Sequence, residues 1–249
     1  CRIFPRVFTE EEPPPPSITA SLNPDREMSV VTFKDIHESE EILNYIQAAD
    51  KCLESLGYTE HNLPHVSKVS KVAGDLLFDL GYSPRLVELT RIAGLMHDIG
   101  NSVNRIDHAQ SGAMMSFYIL NKMGMPSDEI AIIVSAIGNH DESTAFPVNP
   151  VAAALIIADK CDVRRSRVRP GNTGPDMDMH DRVNYSVIQS GTRLDKENHQ
   201  FILEVNADTG ISPVVDFFKA FLSRIELCYK AASVLGLKFR LFINGAEIC

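Results

Sequence analysis

The chain has 249 residues, is 44% hydrophobic and carries a formal net charge of −9. That length suits one sizeable domain, or a domain with an appendage. The acidic balance argues against broad nucleic-acid binding by bulk electrostatics. Cys1, Cys52, Cys161, Cys228 and Cys249 are scattered and form no CxxC, so neither a disulfide framework nor a thiolate zinc site is indicated. No stretch is apolar for long enough to span a membrane, and the N-terminus lacks the apolar core of a signal peptide. The sequence therefore reads as a cytoplasmic protein with no membrane partner.

Residues 1–27 read as a disordered extension. Glu10 to Glu12 run into Pro13 to Pro16, a block that builds neither a helix interior nor a central strand. From His37 to Leu56 the residues Ile42, Ile46, Ala49 and Leu53 recur at helical spacing, and Gly57 ends the run. Asn62 as N-cap with Pro64 in the first turn predicts a helix carrying His65, Val69, Val72, Ala73, Leu76 and Leu80. Ser83-Pro84 opens another, with Leu86, Leu89, Ile92, Ala93 and Met96 as its buried stripe. His97 and Asp98 follow where that stripe runs out, and Gly100 is placed to stop the helix.

Asp107 is a candidate cap for a helix to about Met123, with Ala113, Met114, Phe117 and Leu120 inward and His108 in its first turn. Ser127 opens a helix through Ile130, Ile133, Val134 and Ile137 that ends at Gly138-Asn139-His140. Pro150 starts the next, and Asp159, four residues after Leu155, shares its buried face. Arg164 to Asp181 lacks periodicity and reads as a long loop, in which Asp176, Asp178 and His180 are solvated. Val183-Tyr185-Val187 and Phe201-Leu203-Val205 alternate as strands do. Ser212-Pro213 opens an amphipathic helix through Val215, Phe218, Phe221, Leu222, Ile225 and Tyr229, and Phe239-Leu241-Ile243 alternates again. The tail is thus expected to be a small α+β unit of order β-β-α-β.

His65, His97, His108 and His140 fall at the ends of predicted core helices, as do Asp98 and Asp159. Helix ends converge where a bundle encloses a pocket, and metal sites in bundles are built from such inward side chains. Buried polar groups need partners, and a cation is one. Six nitrogen and oxygen donors without sulfur are too many for one tetrahedral zinc. They suit two divalent ions sharing a carboxylate, with iron or manganese favoured and cobalt, magnesium, zinc or nickel as alternatives. His61 is the rival of His65, and Asp162, one turn on, is the rival of Asp159. Arg164, Arg165, Arg167 and Arg169 follow closely and read either as a bidentate phosphate grip or as loop and interface residues.

Leu63-Pro64-His65, Gly94-Leu95-Met96-His97-Asp98-Ile99-Gly100, Asp107-His108-Ala109-Gln110-Ser111-Gly112, Asn139-His140-Asp141-Glu142 and Ala158-Asp159-Lys160 together resemble the HD-domain superfamily of metal-dependent phosphohydrolases. The two histidines between the HD pair and the last Asp resemble its two-metal branch. The resemblance covers about residues 40–165 and implies a mainly α fold with an HD-type helical domain, bounded at 28–165; the loop over 166–182 and the α+β unit over 183–249 are read from the residue pattern and match no HD pattern. It also implies that His65, His97, Asp98 and Asp159 hold one metal, and that Asp98 bridges to a second held by His108 and His140. His97 and Asp98 would be the catalytic pair. A metal-bridging hydroxide would hydrolyse a phosphate ester or anhydride in a nucleotide or dinucleotide. Arg105, Arg164, Arg165, Arg169 and Asn101 are the expected substrate contacts.

Asn101 stands where the cyclic-dinucleotide branch carries lysine, and Asn139-His140 replaces its His-His pair, which disfavours that activity. The same ligand frame also fits a diiron oxygenase, or a non-catalytic sensing or assembly module. A homodimer is the expected assembly, with the tail either covering the pocket or pairing the subunits.

Overall fold

The computed structural model describes residues 30–172 and 177–249. The extension read over 1–27 and Asp176 lie outside them.

Seven helices precede the tail: α1 Phe33–His37, α2 Glu40–Ser55, α3 Leu63–Asp79, α4 Pro84–Met96, α5 His108–Met123, α6 Ser127–Gly138 and α7 Pro150–Lys160. Their starts follow from local chemistry. The side chains of Asn62, Ser83 and Asn149 each accept a hydrogen bond from a backbone N–H of the first turn, while Pro64, Pro84 and Pro150 occupy positions whose N–H has no helical acceptor. Helix α7 is apolar all round, and Val151 to Ala158 are buried on every side, so it runs through the centre of the body. Its last turn carries Asp159.

Helices α3 and α4 pack backbone to backbone. A Cβ on Gly94 would lie 2.6 Å from the Ser70 Cα, and the Ser70 hydroxyl donates to the Arg91 carbonyl at 2.8 Å. That close approach sets the N-terminus of α3, with His65, beside the C-terminus of α4, with His97. Gly100 differs from expectation. It does not end the helix with a left-handed cap; it sits in a 3-10 turn, Ile99–Ser102, that continues from α4. A Cβ there would lie 2.0 Å from the His108 carbonyl oxygen and 2.4 Å from the Gly112 nitrogen. The residue is glycine because α5 crosses the turn in contact with its backbone.

Three other readings are corrected. Asp107 precedes α5, but its side chain makes no capping bond and its backbone is left-handed, with φ 57°. The inward face of α5 is Ala109, Gly112, Ala113, Ser116 and Leu120, whereas Met114 and Phe117 are exposed, because small residues are what the close contact with the 3-10 turn admits. Val183 and Tyr185 belong not to a strand but to α8, Met179–Ser186, started by Asp178 as N-cap. The first strand, β1, is Val187–Asp195.

The tail continues with β2 Gln200–Ala207, α9 Val214–Val234, β3 Lys238–Ile243 and the two-residue β4 Ala246–Glu247. The sheet order is β1-β2-β3-β4. β1 and β2 are antiparallel, while β2 and β3 are parallel, with Phe201 opposite Phe239 and Leu203 opposite Leu241. A parallel pair needs a crossover, and α9 supplies it. α9 packs on β3 and also on α7, so body and tail share one apolar core. Its buried face is Phe217, Phe221, Ile225, Cys228 and Ala232; Val215 and Leu222, expected inside, are exposed. Among the described residues no helix is long and apolar enough to cross a membrane.

Candidate metal centre

Six side chains from five parts of the body meet at one end of the bundle: His65 from α3, His97 and Asp98 after α4, His108 from α5, His140 after α6 and Asp159 from α7. The four imidazoles are fully buried or nearly so. Each spends its Nδ1 on an acceptor outside the cluster. His65 donates to Asp162 Oδ2 at 2.8 Å, His97 to the Gly94 carbonyl at 2.9 Å, His108 to the Arg105 carbonyl at 3.1 Å and His140 to the Ile137 carbonyl at 2.6 Å. Acceptors at Nδ1 place the hydrogen there and leave the Nε2 lone pair facing inward. Three of the acceptors are carbonyls three residues earlier, two of them at helix C-termini, where such oxygens lack a helical donor.

The inward nitrogens surround two carboxylates. Asp98 divides its oxygens. Oδ2 lies 3.2 Å from His97 Nε2 and 3.7 Å from His65 Nε2, whereas Oδ1 lies 3.5 Å from His108 Nε2 and 3.8 Å from His140 Nε2. Asp159 Oδ1 closes the first half, 3.4 Å from His65 Nε2 and 3.8 Å from His97 Nε2. His65, His97 and Asp159 form one group with metal-holding geometry, and His97, Asp98 and His140 form another.

The donors fit a cation. His65 Nε2, His97 Nε2 and Asp98 Oδ2 are buried without a hydrogen-bond partner. His108 Nε2 and His140 Nε2, both turned lone pair inward, face each other at 3.2 Å. Such a cluster is costly unless a positive charge joins it. Nitrogen and carboxylate donors without sulfur suit the harder divalent ions.

Electrostatics keep the cluster ready to ligate. Burial opposes ionisation of Asp98, but the imidazoles of His97 and His140 outweigh it and hold the carboxyl well below its usual range. Asp159 is held down likewise, against burial, by Lys160 and then His65. Burial pushes His108 down to about 4, with His140 and Arg105 adding to the effect, so this imidazole is neutral. Burial also works against charge on His97, yet Asp98 beside it lifts its pKa.

Asp162, the expected rival of Asp159, orients rather than joins the cluster. It is buried, accepts from His65 Nδ1, and is paired with Lys68 at 2.8 Å and Arg164 at 2.9 Å. Replacing it by asparagine removes the charge that makes His65 a better donor. Metal affinity is expected to fall roughly 10- to 100-fold. Titration of the metal-depleted variant against the wild type checks this, with circular dichroism to show that the fold survives. His61, the rival of His65, lines the same cavity with its Nδ1 on the Thr59 carbonyl and its Nε2 3.1 Å from Arg167. Burial and Arg167 keep it neutral, well below its usual pKa.

The expected substrate contacts divide. Arg105 borders the cavity beside His108, 3.8 Å from Asp141 and over the Tyr58 ring. Asn101 is buried, and its amide donates to Asp98 Oδ1 at 2.9 Å and fixes that carboxylate. Arg164 is spent on Asp162 and Ser166. Arg165 donates to the Tyr185 carbonyl and stacks on the Tyr185 ring. Arg169 is buried against Asp50 and the Tyr58 carbonyl. These three are clamps between the 164–172 segment and its surroundings, because each guanidinium finds fixed oxygens within reach. The cavity is lined instead by Arg167, Lys160, Glu142 and Arg224. Lys160 and Glu142 adjoin motif residues and could have been found there. Arg224 lies on α9, far along the chain, and nothing local marks it.

Residues 63–164 match the family model described as HD domain. The six clustered side chains all fall within that span. Among curated proteins, ribonuclease Y of Oceanobacillus iheyensis is 33% identical over 100 residues. That match takes in 39% of this chain and 18% of the relative, so the chain spans under a fifth of that protein's length. Among solved structures, a predicted HD superfamily hydrolase from an uncultured Thermotogales bacterium is 25% identical, with a TM-score of 0.40. The likeness covers 50% of this chain and 67% of that one.

Proposed function

From the match of residues 63–164 to the HD domain, we propose that the chain is a metal-dependent phosphohydrolase of that superfamily, acting on a phosphate ester or anhydride of nucleotide size. The observation that carries this reading is the division of Asp98, one oxygen toward His65 and His97 and the other toward His108 and His140. A carboxylate so shared suits a pair of divalent ions, the first with His65, His97, Asp98 and Asp159 and the second with Asp98, His108 and His140. Such ions supply a water of lowered pKa and neutralise charge that builds on phosphoryl oxygens.

The remaining work belongs to the protein. The imidazoles keep their Nδ1 protons on fixed acceptors, so their inward nitrogens cannot turn away. Asn101 holds the Asp98 carboxylate with one oxygen toward each pair of imidazoles. Arg105, Lys160 and Arg167 surround the cavity with positive charge that attracts an anionic phosphate into a site otherwise rich in carboxylates. Neutral His61 lines the same wall.

The purified chain should contain close to two equivalents of divalent metal and hydrolyse a phosphate compound from a panel of nucleotides, sugar phosphates and p-nitrophenyl esters when supplied with manganese. Oxygen consumption with two bound irons and no phosphate release would replace the reading with the oxidative one. Metal without either activity would leave a binding module.

A further inference from the structure

The metal cavity opens into an outer cleft of about 300 Å³. Tyr58 and Thr59 line one side, and Asp178, His180 and Asn184 of the α8 segment line the other. The loop read from sequence as solvated thus forms a wall. Arg105, His61, Glu142 and Arg224 border both spaces and mark where one leads into the other.

Two of the cations around the cavity are already committed. Lys160 is 2.8 Å from Asp159, and Arg167 donates to the main-chain oxygens of Glu60 and Asp162. Arg224 is different. Its Nε lies 2.7 Å from Glu142 Oε1 as an ion pair without hydrogen-bond geometry, and its guanidinium stacks over the Phe221 ring at 4.6 Å, which fixes its plane. Its terminal amino groups have no protein partner among the described residues. A planar guanidinium held by stacking on Phe221, with its outer donors free, is suited to two parallel hydrogen bonds to a phosphate.

The outer cleft adds a limit on what that phosphate is attached to. Its volume is at the lower end of the roughly 300–1,000 Å³ of small-molecule sites. Asp141, Glu142, Asp178 and Asp181 line it, a poor path for a polyanionic strand but a good one for hydroxyl donors.

We infer that Arg224, contributed by the C-terminal unit, binds the substrate phosphate, and that the cleft takes a small phosphomonoester with a hydroxyl-bearing remainder rather than a polynucleotide. The inference rests on the phosphohydrolase reading and deepens it, since the HD domain alone then lacks half of its substrate site.

The test uses the full metal-loaded chain. Inorganic phosphate binding is measured by calorimetry for the wild type, Arg224→Gln and Arg224→Lys, with metal content and circular dichroism as controls. Arg224→Gln should weaken phosphate binding roughly 10- to 100-fold at unchanged metal content, with Arg224→Lys in between. The wild type should hydrolyse nucleoside monophosphates or sugar phosphates in preference to a single-stranded RNA oligonucleotide. Unchanged phosphate affinity in Arg224→Gln, or faster cleavage of the RNA, overturns the inference. A wild type that hydrolyses nothing removes the phosphohydrolase reading instead, and phosphate calorimetry then still decides the role of Arg224.

Discussion

Asp98→Asn is expected to reduce turnover by about 10³-fold or more and to lower metal content toward one equivalent or none. The substitution keeps the size and shape of the side chain. It replaces one of two oxygens, each of which faces a different pair of imidazoles, by an amide nitrogen with no lone pair to offer. Whichever way the amide turns, one half of the centre loses an anionic donor, and the whole loses a negative charge at its middle. The apoprotein should lose stability as well, because the imidazoles that outweigh burial and hold this carboxyl ionised lose their counter-charge. Elemental analysis and assay of the same sample give the answer. A variant with full metal and full turnover would mean that the cluster does not catalyse.

Gly100→Ala is expected to be the most destabilising single methyl in the body. The added carbon would meet the His108 carbonyl oxygen at 2.0 Å and the Gly112 nitrogen at 2.4 Å. Both are main-chain atoms and cannot rotate aside. The helix that carries His108 must shift or the 3-10 turn must open. The cost belongs at the upper end of the roughly 1–3 kcal/mol typical of overpacking, a fall of roughly 6–12 °C in Tm for a chain of this size. Metal affinity should drop with it, since the turn sets His108 against Asp98. Gly191→Ala is the control; a Cβ there meets nothing within 4 Å, and its Tm should stay near that of the wild type. Equal melting of the two variants would refute the close-approach account.

Much of the helical body was legible because its signals are local. Asn62, Ser83 and Asn149 announce helix starts by an interaction within three residues, and the following proline reinforces each. Residues of the cluster were legible for a related reason: His65, His97, His140 and Asp159 fall at or near the ends of apolar stripes, where a polar side chain on a buried face has no local explanation. Val183-Tyr185-Val187 misled because a short alternation also fits one turn of a half-buried helix, and the Asp178 cap that decides between them looked like one more loop acid. Met114 and Phe117 misled because the contact of α5 with the Gly100 turn selects small residues, so the larger ones are displaced outward.

Most helix positions of the body, the α+β character of the tail and the set of nitrogen and oxygen donors were determined by the sequence itself, through caps, periodicity and residue chemistry that act over a few positions. Tertiary structure alone decided which arginines are free. Arg164, Arg165 and Arg169 cluster in sequence yet are consumed by oxygens from Asp162, Tyr185 and Asp50, while Arg224 reaches the cavity because α9 packs on α7. The reason is that a charged side chain is defined by its partners, and some of these are distant: Asp50 lies more than a hundred residues from Arg169, where no local pattern can announce it.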